Sequence, residues 1–139
     1  MTGAALGGKV AVVTGGGAGI GFALAEGLGR RGAAILIADR NGAEAAATRL
    51  RDQGLRALGI AADVTLEGEM AAMAETAERE LGGIDILVNN AGIYASLTPK
   101  PFEQLDLAEW RQVLEVNVIG TFLCCRTVLP ALRRRGAAA

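Results

Sequence analysis

The sequence predicts an α/β fold, an open, doubly wound parallel sheet with helices on its faces. Three observations lead there. Short apolar runs rich in valine and isoleucine alternate with segments of helical spacing. The runs are apolar throughout instead of alternating with polar residues, as in strands covered on both sides. Glycines stand where one segment gives way to the next.

Val10–Val13 is the first such run. It leads into Gly15-Gly16-Gly17-Ala18-Gly19-Ile20-Gly21, and a helix is predicted from Gly19 with Ile20, Leu24 and Leu28 along one face. Arg30 and Arg31 suit the C-terminal dipole of that helix, and Gly32 stops it. Ala34–Ala38 is a second strand ending at Asp39. Asn41 and Glu44 have the spacing of a capping box for an alanine-rich helix that ends near Gly54. Leu55–Ala61 is a weaker third strand, followed by Asp63. Thr65 suits the cap of a helix whose apolar face is Met70, Met73, Ala77 and Leu81. Ile84–Val88 is the fourth strand and runs into Asn89-Asn90-Ala91-Gly92. A loop with Pro99 and Pro101 precedes a second capping box, Asp106 with Glu109. A long helix then passes through Trp110, Val113, Leu114 and Val118 towards Leu132, and Arg133–Arg135 suit its C-terminal end. The alternation would next call for a fifth strand, so strand four is expected to be an unpaired edge.

Composition narrows the class. The chain has 139 residues, 51% hydrophobic and 21% charged, with a formal net charge of −1. One domain over residues 1–139 is expected. No basic excess favours nucleic acid. Without histidine, a His-based triad or a His-ligated metal site is excluded, and no metal is expected. Cys124 and Cys125 are adjacent, diverge on a helix and read as core thiols of a reducing, cytoplasmic setting. The N-terminus lacks the pattern of a signal peptide. Val113–Leu132 is apolar enough to suggest a membrane span, but it carries Glu115, Asn117, Arg126 and Pro130 and reads as a buried helix of a soluble protein.

The glycine turn carries the functional signal. Glycine at Gly15, Gly17, Gly19 and Gly21 gives a tight turn, lets a backbone approach closely and packs a helix on a strand. The helix start beyond it, at Gly19 and Ile20, offers free N–H groups and a positive dipole end to a pyrophosphate. The plainer alternative is a turn without a ligand. Asp39 lies roughly 20 residues on, where a carboxylate bonds ribose hydroxyls and repels a 2′-phosphate. That favours NAD over NADP, although Arg40 next to it tolerates a phosphate. Asp63 and the Asn-Asn-Ala-Gly turn sit at strand ends, where ligands bind in open α/β sheets, and each also suits a plain turn. Asn117, inside an apolar stretch, needs hydrogen-bond partners, and on the residues alone a structural role is favoured.

Together these residues resemble the N-terminal part of the short-chain dehydrogenase/reductase family. Thr14–Gly21 is similar to its glycine motif, Asp39 to the acidic residue of NAD-preferring members, and Asp63-Val64 to the pair that contacts adenine. Asn89-Asn90-Ala91-Gly92 is similar to the motif that steadies the sheet and lines the cofactor site, and Asn117 to the asparagine of the catalytic tetrad. The resemblance implies a Rossmann-like fold, an NAD cofactor and hydride transfer to or from a small alcohol or carbonyl compound. It also implies a tyrosine and a lysine four apart that move the proton, and a serine that holds the substrate oxygen. Position 98, four after the sole tyrosine Tyr94, is Thr98, and the lysines are Lys9 and Lys100, so no Tyr-x-x-x-Lys occurs. The expectation is a partial NAD(P)-binding domain, truncated before the family's fifth strand and without ordinary turnover. The alternatives are a non-catalytic dinucleotide-binding module and a fragment that oligomerises through its open edge.

Overall fold

The computed structural model describes residues 4–94 and 96–136. The four predicted strands form one parallel sheet: β1 (Val10–Thr14), β2 (Ala34–Asp39), β3 (Ala57–Ala61) and β4 (Ile86–Val88), in the order β3-β2-β1-β4. Val12 pairs with Leu36 on one side and with Leu87 on the other. Alternate residues of the strands therefore feed two cores. Val10, Val12, Leu36 and Ala38 point into one, with Met70, Met73, Leu81, Cys124 and Val128. Ala11, Val13, Ile35 and Ile37 point into the other, with Phe22, Ala25, Ala46, Ala47 and Leu50. The first core is covered by α3 (Glu67–Thr76) and α5 (Thr121–Arg134), the second by α1 (Gly19–Arg30) and α2 (Ala43–Arg51). Central strands buried on both faces explain the unbroken apolar runs. β4 pairs only with β1 and forms an edge among the described residues.

Several local expectations are corrected. Ile20 and Leu24 face solvent, and α1 buries Gly21, Phe22, Ala25 and Gly29. Small residues let this helix lie close to the sheet; Gly29 packs on Leu55 and Ile35. The capping box at Asn41 does not form. The chain turns at Gly42, φ 72°, which is itself the N-cap of α2, and the Asn41 N–H is held by Asp39. Glu44 pairs with Arg51 instead. Thr65 does not cap α3; its hydroxyl donates to Asp63, and Leu66 occupies the cap position. Asp106 does cap α4 (Leu107–Leu114), accepting from the Ala108 N–H, while Glu109 pairs with Lys100.

The long helix runs over Leu107–Arg134, with a wider i→i+5 turn at Glu115–Gly120 between α4 and α5. It is long and apolar enough to cross a membrane by length and composition. It is not the buried helix expected: Gly120, Leu123, Cys124, Val128 and Ala131 face the protein, whereas Trp110, Leu114, Val118 and Phe122 are exposed. Cys124 is buried and Cys125 is exposed, so only one thiol belongs to the core. The arginine run at the helix end also reaches back to the sheet side of the fold. Arg134 pairs with Glu78, and Arg135 with Asp85 and the Gly8 carbonyl.

Candidate functional site: a groove at the carboxyl ends of the strands

Strand order reverses direction at β1, with β2 and β3 on one side and β4 on the other. The loops after β1 and β4 therefore diverge and leave a crevice, the usual ligand position in such sheets. Thr14 ties the two strand ends. It is 1% exposed, and its hydroxyl accepts from the N–H groups of Asn90 and Ala91 at 3.1 Å each. Asn90 reaches back, its Nδ2 donating to the Gly15 carbonyl at 3.0 Å. The glycine loop thus hangs on the end of β4.

The spacing of the loop now has reasons. At φ 65°, Gly15 occupies a left-handed conformation, and a Cβ there would meet the Ala91 Cα at 2.8 Å. A Cβ on Gly17 would collide with the Asn41 carbonyl and the Asp39 carboxylate, and one on Gly21 with the Gly15 carbonyl and Asn90. Gly19, φ 56°, has open space around it. Ala18 precedes α1 without a side-chain cap, and the first turn contains no acidic residue. The N–H groups of Gly19, Ile20 and Gly21 have no acceptor among the described residues. Three unpaired donors at a positive helix end are the donor set an anionic phosphate takes.

The groove encloses about 220 Å³ and brings together Gly15, Asp39, Asp63, Val64, Asn90, Ala91 and Gly92. The glycine loop borders it: Gly17 touches Asp39, and Gly19, Ile20 and Gly21 form the helix start. Ala38, Arg40, Ala62, Ile93 and Val116 complete the lining. Sequence reasoning missed Ala38, Ala62, Ile93 and Val116; each is an apolar neighbour of a residue it did select. It also missed the bolt made by Thr14, whose signal was a hydroxyl residue ending an apolar strand before glycine.

Asp39 accepts from the Gly17 N–H at 2.9 Å and from the Asn41 N–H at 3.0 Å. Asp63 accepts from both the hydroxyl and the N–H of Thr65, and Arg40 approaches it at 3.6 Å. The Thr65 hydroxyl above all, against partial burial, holds the Asp63 carboxyl below its ordinary value. Asn117 lies outside the groove lining. Its side chain grips the Ile93 backbone twice, accepting from the N–H at 2.7 Å and donating to the carbonyl at 3.1 Å. Tyr94 is 87% exposed. No cluster able to hold a metal ion occurs among the described residues.

Residues 9–139 match the family model for short chain dehydrogenase. The chain belongs to the short-chain dehydrogenase family. Within it, the chain is 45% identical over 133 residues to cis-4-hydroxycyclohexanecarboxylate dehydrogenase of Sinomonas cyclohexanicum, covering 94% of this chain and 52% of that protein. It is 42% identical to D-threitol dehydrogenase of Mycolicibacterium smegmatis, covering 96% and 51%. It is 40% identical to 5-keto-D-gluconate 5-reductase of Escherichia coli K12, covering 95% and 52%. The chain thus spans about half the length of the curated relatives it matches. As a family, the short-chain dehydrogenases are oxidoreductases with a nicotinamide dinucleotide cofactor.

Proposed function

We propose that these residues form the cofactor-binding half of an NAD-dependent oxidoreductase acting on small alcohols or carbonyl compounds. The observation that carries this reading is the convergence of seven selected residues on one groove beside unpaired helix N–H groups. In this reading Gly19, Ile20 and Gly21 take the pyrophosphate, and Val64 with Asp63 borders the adenine. Asp39 accepts from the ribose hydroxyls. Asn90, Ala91 and Gly92 line the path towards the nicotinamide. Asp39 supports NAD over NADP, because its carboxylate repels a 2′-phosphate; the neighbouring Arg40 lines the same groove and pairs with Asp63. A bound nicotinamide supplies hydride transfer. The relatives act on hydroxyl and keto compounds by name, and the same broad substrate class is proposed here.

Asn117 is proposed as the chain's contribution to the proton path, through the backbone it holds at Ile93. Proton transfer itself needs a donor beyond these residues, since Tyr94 faces solvent and no Tyr-x-x-x-Lys occurs. The 139 residues alone are therefore expected to bind NAD without turning it over. Titration calorimetry with NAD, ADP-ribose and AMP tests the binding, and absence of heat with all three overturns it. NAD reduction against a panel of alcohols tests the rest: any turnover by these residues would show that they hold a proton donor after all, and Tyr94→Phe would tell whether it is Tyr94.

A second reading, self-association, has its own observation. Exposed Trp110, Leu114, Val118 and Phe122 lie along one helix, and β4 is an edge strand among the described residues. Light scattering should find a dimer or larger species; a stable monomer at high concentration refutes it.

A further inference from the structure

Gly120 stands inside the long helix, where glycine is a poor helix former. Its backbone is ordinary helix, φ −56° and ψ −45°, so no unusual conformation calls for glycine. Proximity does. A Cβ at this position would lie 2.6 Å from Val64 Cγ2 and 3.2 Å from Val64 Cβ. Val64 is 7% exposed and lines the groove on the β3 side. The same i→i+5 turn carries Val116, also in the lining, and Asn117, whose amide holds both backbone groups of Ile93 on the β4 side. Gly92 packs beneath that amide: a Cβ on it would meet Asn117 Oδ1 at 3.2 Å. Wide turns of this type are frequent at functional sites.

We propose that Gly120 is a positioning residue for the dinucleotide. By seating the 115–120 turn directly on Val64, it sets the place from which Asn117 holds Ile93. One turn of helix thus fixes both walls of the groove, Val64 on one side and Gly92–Ile93 on the other. The proposal rests on the dinucleotide reading above. A methyl group at position 120 has two ways out. It pushes Val64 into the groove, or it lifts the turn and drags Ile93 with it. Either way the groove changes width while the sheet beneath stays intact.

The test compares Gly120→Ala, Val64→Ala and the double variant with the unaltered chain. Amide exchange in the ligand-free protein reads the coupling, and calorimetry with NAD and ADP-ribose reads the groove. Gly120→Ala should raise exchange at the Ile93 amide while the β1 amides stay protected, and should weaken both ligands about tenfold, because the walls that hold them have moved. Val64→Ala removes the methyl that lies 2.6 Å from the new Cβ and leaves only the Cβ of position 64 at 3.2 Å, so the double variant should fall within about twofold of Val64→Ala in affinity and regain protection at the Ile93 amide. If Gly120→Ala does not fold, that last comparison still decides. Unchanged Ile93 exchange in Gly120→Ala, or a double variant about tenfold weaker than Val64→Ala, overturns the proposal. If the unaltered chain binds neither ligand, the dinucleotide reading falls, and Ile93 exchange still decides whether Gly120 couples the two walls.

Discussion

Asp39→Asn separates a turn-forming carboxylate from a ligand-binding one. The two oxygens of Asp39 are both in use, one on the Gly17 N–H and the other on the Asn41 N–H. Asparagine has the same shape but a single acceptor oxygen. Whichever way its amide turns, one of those backbone N–H groups faces an NH2. A part-buried donor left without an acceptor costs about 1–3 kcal/mol. Urea unfolding should therefore show a loss of about 1–2 kcal/mol for the variant. Binding should change separately. Replacing a charged acceptor by a neutral one at the ribose weakens NAD by about 1.4 kcal/mol, or roughly tenfold. NADP should gain, because the repulsion between a carboxylate and a 2′-phosphate is removed, so the NAD/NADP preference narrows by more than tenfold on the same scale. Calorimetry with both dinucleotides, beside the urea curve, reads all three. A stability loss of the expected size with unchanged NAD and NADP affinities would refute the ribose role and leave Asp39 as a turn residue only.

Thr14→Val keeps the shape but removes the acceptor shared by the Asn90 and Ala91 N–H groups, so a loss of about 2 kcal/mol is expected by urea denaturation, with Thr14→Ser retaining most of the stability. Acid should destabilise the fold through Asp63 and Asp85. Burial pushes the Asp85 carboxyl up, but Arg135, the Val10 N–H and Lys9 together outweigh it, and both carboxyls titrate below the ordinary value of 3.8. Because the folded values are the lower ones, this stabilisation is complete above about pH 4 and is lost as pH falls through them; Asp85→Asn should flatten the acid limb of a pH–stability curve. Burial pushes the Cys124 thiol up to about 11, so at pH 8 iodoacetamide should label Cys125 once and leave Cys124 untouched, and labelling should vanish in Cys125→Ser.

What the sequence revealed and what it hid have different physical origins. β1 and β2 were readable because burial on both faces leaves only one kind of residue available; β3 and β4 are only half-buried along most of their length. The groove was readable because its chemistry needs particular types, glycine for approach and carboxylates at strand ends. Helix faces were misread where bulk was taken for burial. In α1 the buried positions are Phe22 and three small residues, Gly21, Ala25 and Gly29, while Ile20 and Leu24 remain outside. Caps were misread by a single residue, because the left-handed turn at Gly42 moves the helix start past Asn41. Long-range ion pairs left no local trace. Nothing near Arg135 in the sequence points to Asp85, 50 residues earlier.

The two ends of the sheet are built on opposite principles, and the contrast bears on function. At the amino end, Asp85 is 6% exposed and fully engaged. It accepts from the Val10 N–H at 2.9 Å, from Lys9 at 3.3 Å and from Arg135 at 2.9 Å, and Arg135 continues to the Gly8 carbonyl. This arrangement joins β1, the turn before β4 and the last turn of α5 into one closed knot. Such a partner set makes the loss of one member costly, because the other groups are then left unpaired. At the carboxyl end the polarity is left open. The helix N–H groups of Gly19–Gly21 have no acceptor among the described residues, and Asp39 is satisfied only by turn amides. A sheet end held only by open, unpaired groups would be poorly ordered without ligand. Thr14 and Asn90 prevent that by bolting the strand ends together beneath the loop. The consequence is a site that is rigid in its floor and unsatisfied at its rim, which is the arrangement that binds an anionic ligand without first having to fold around it.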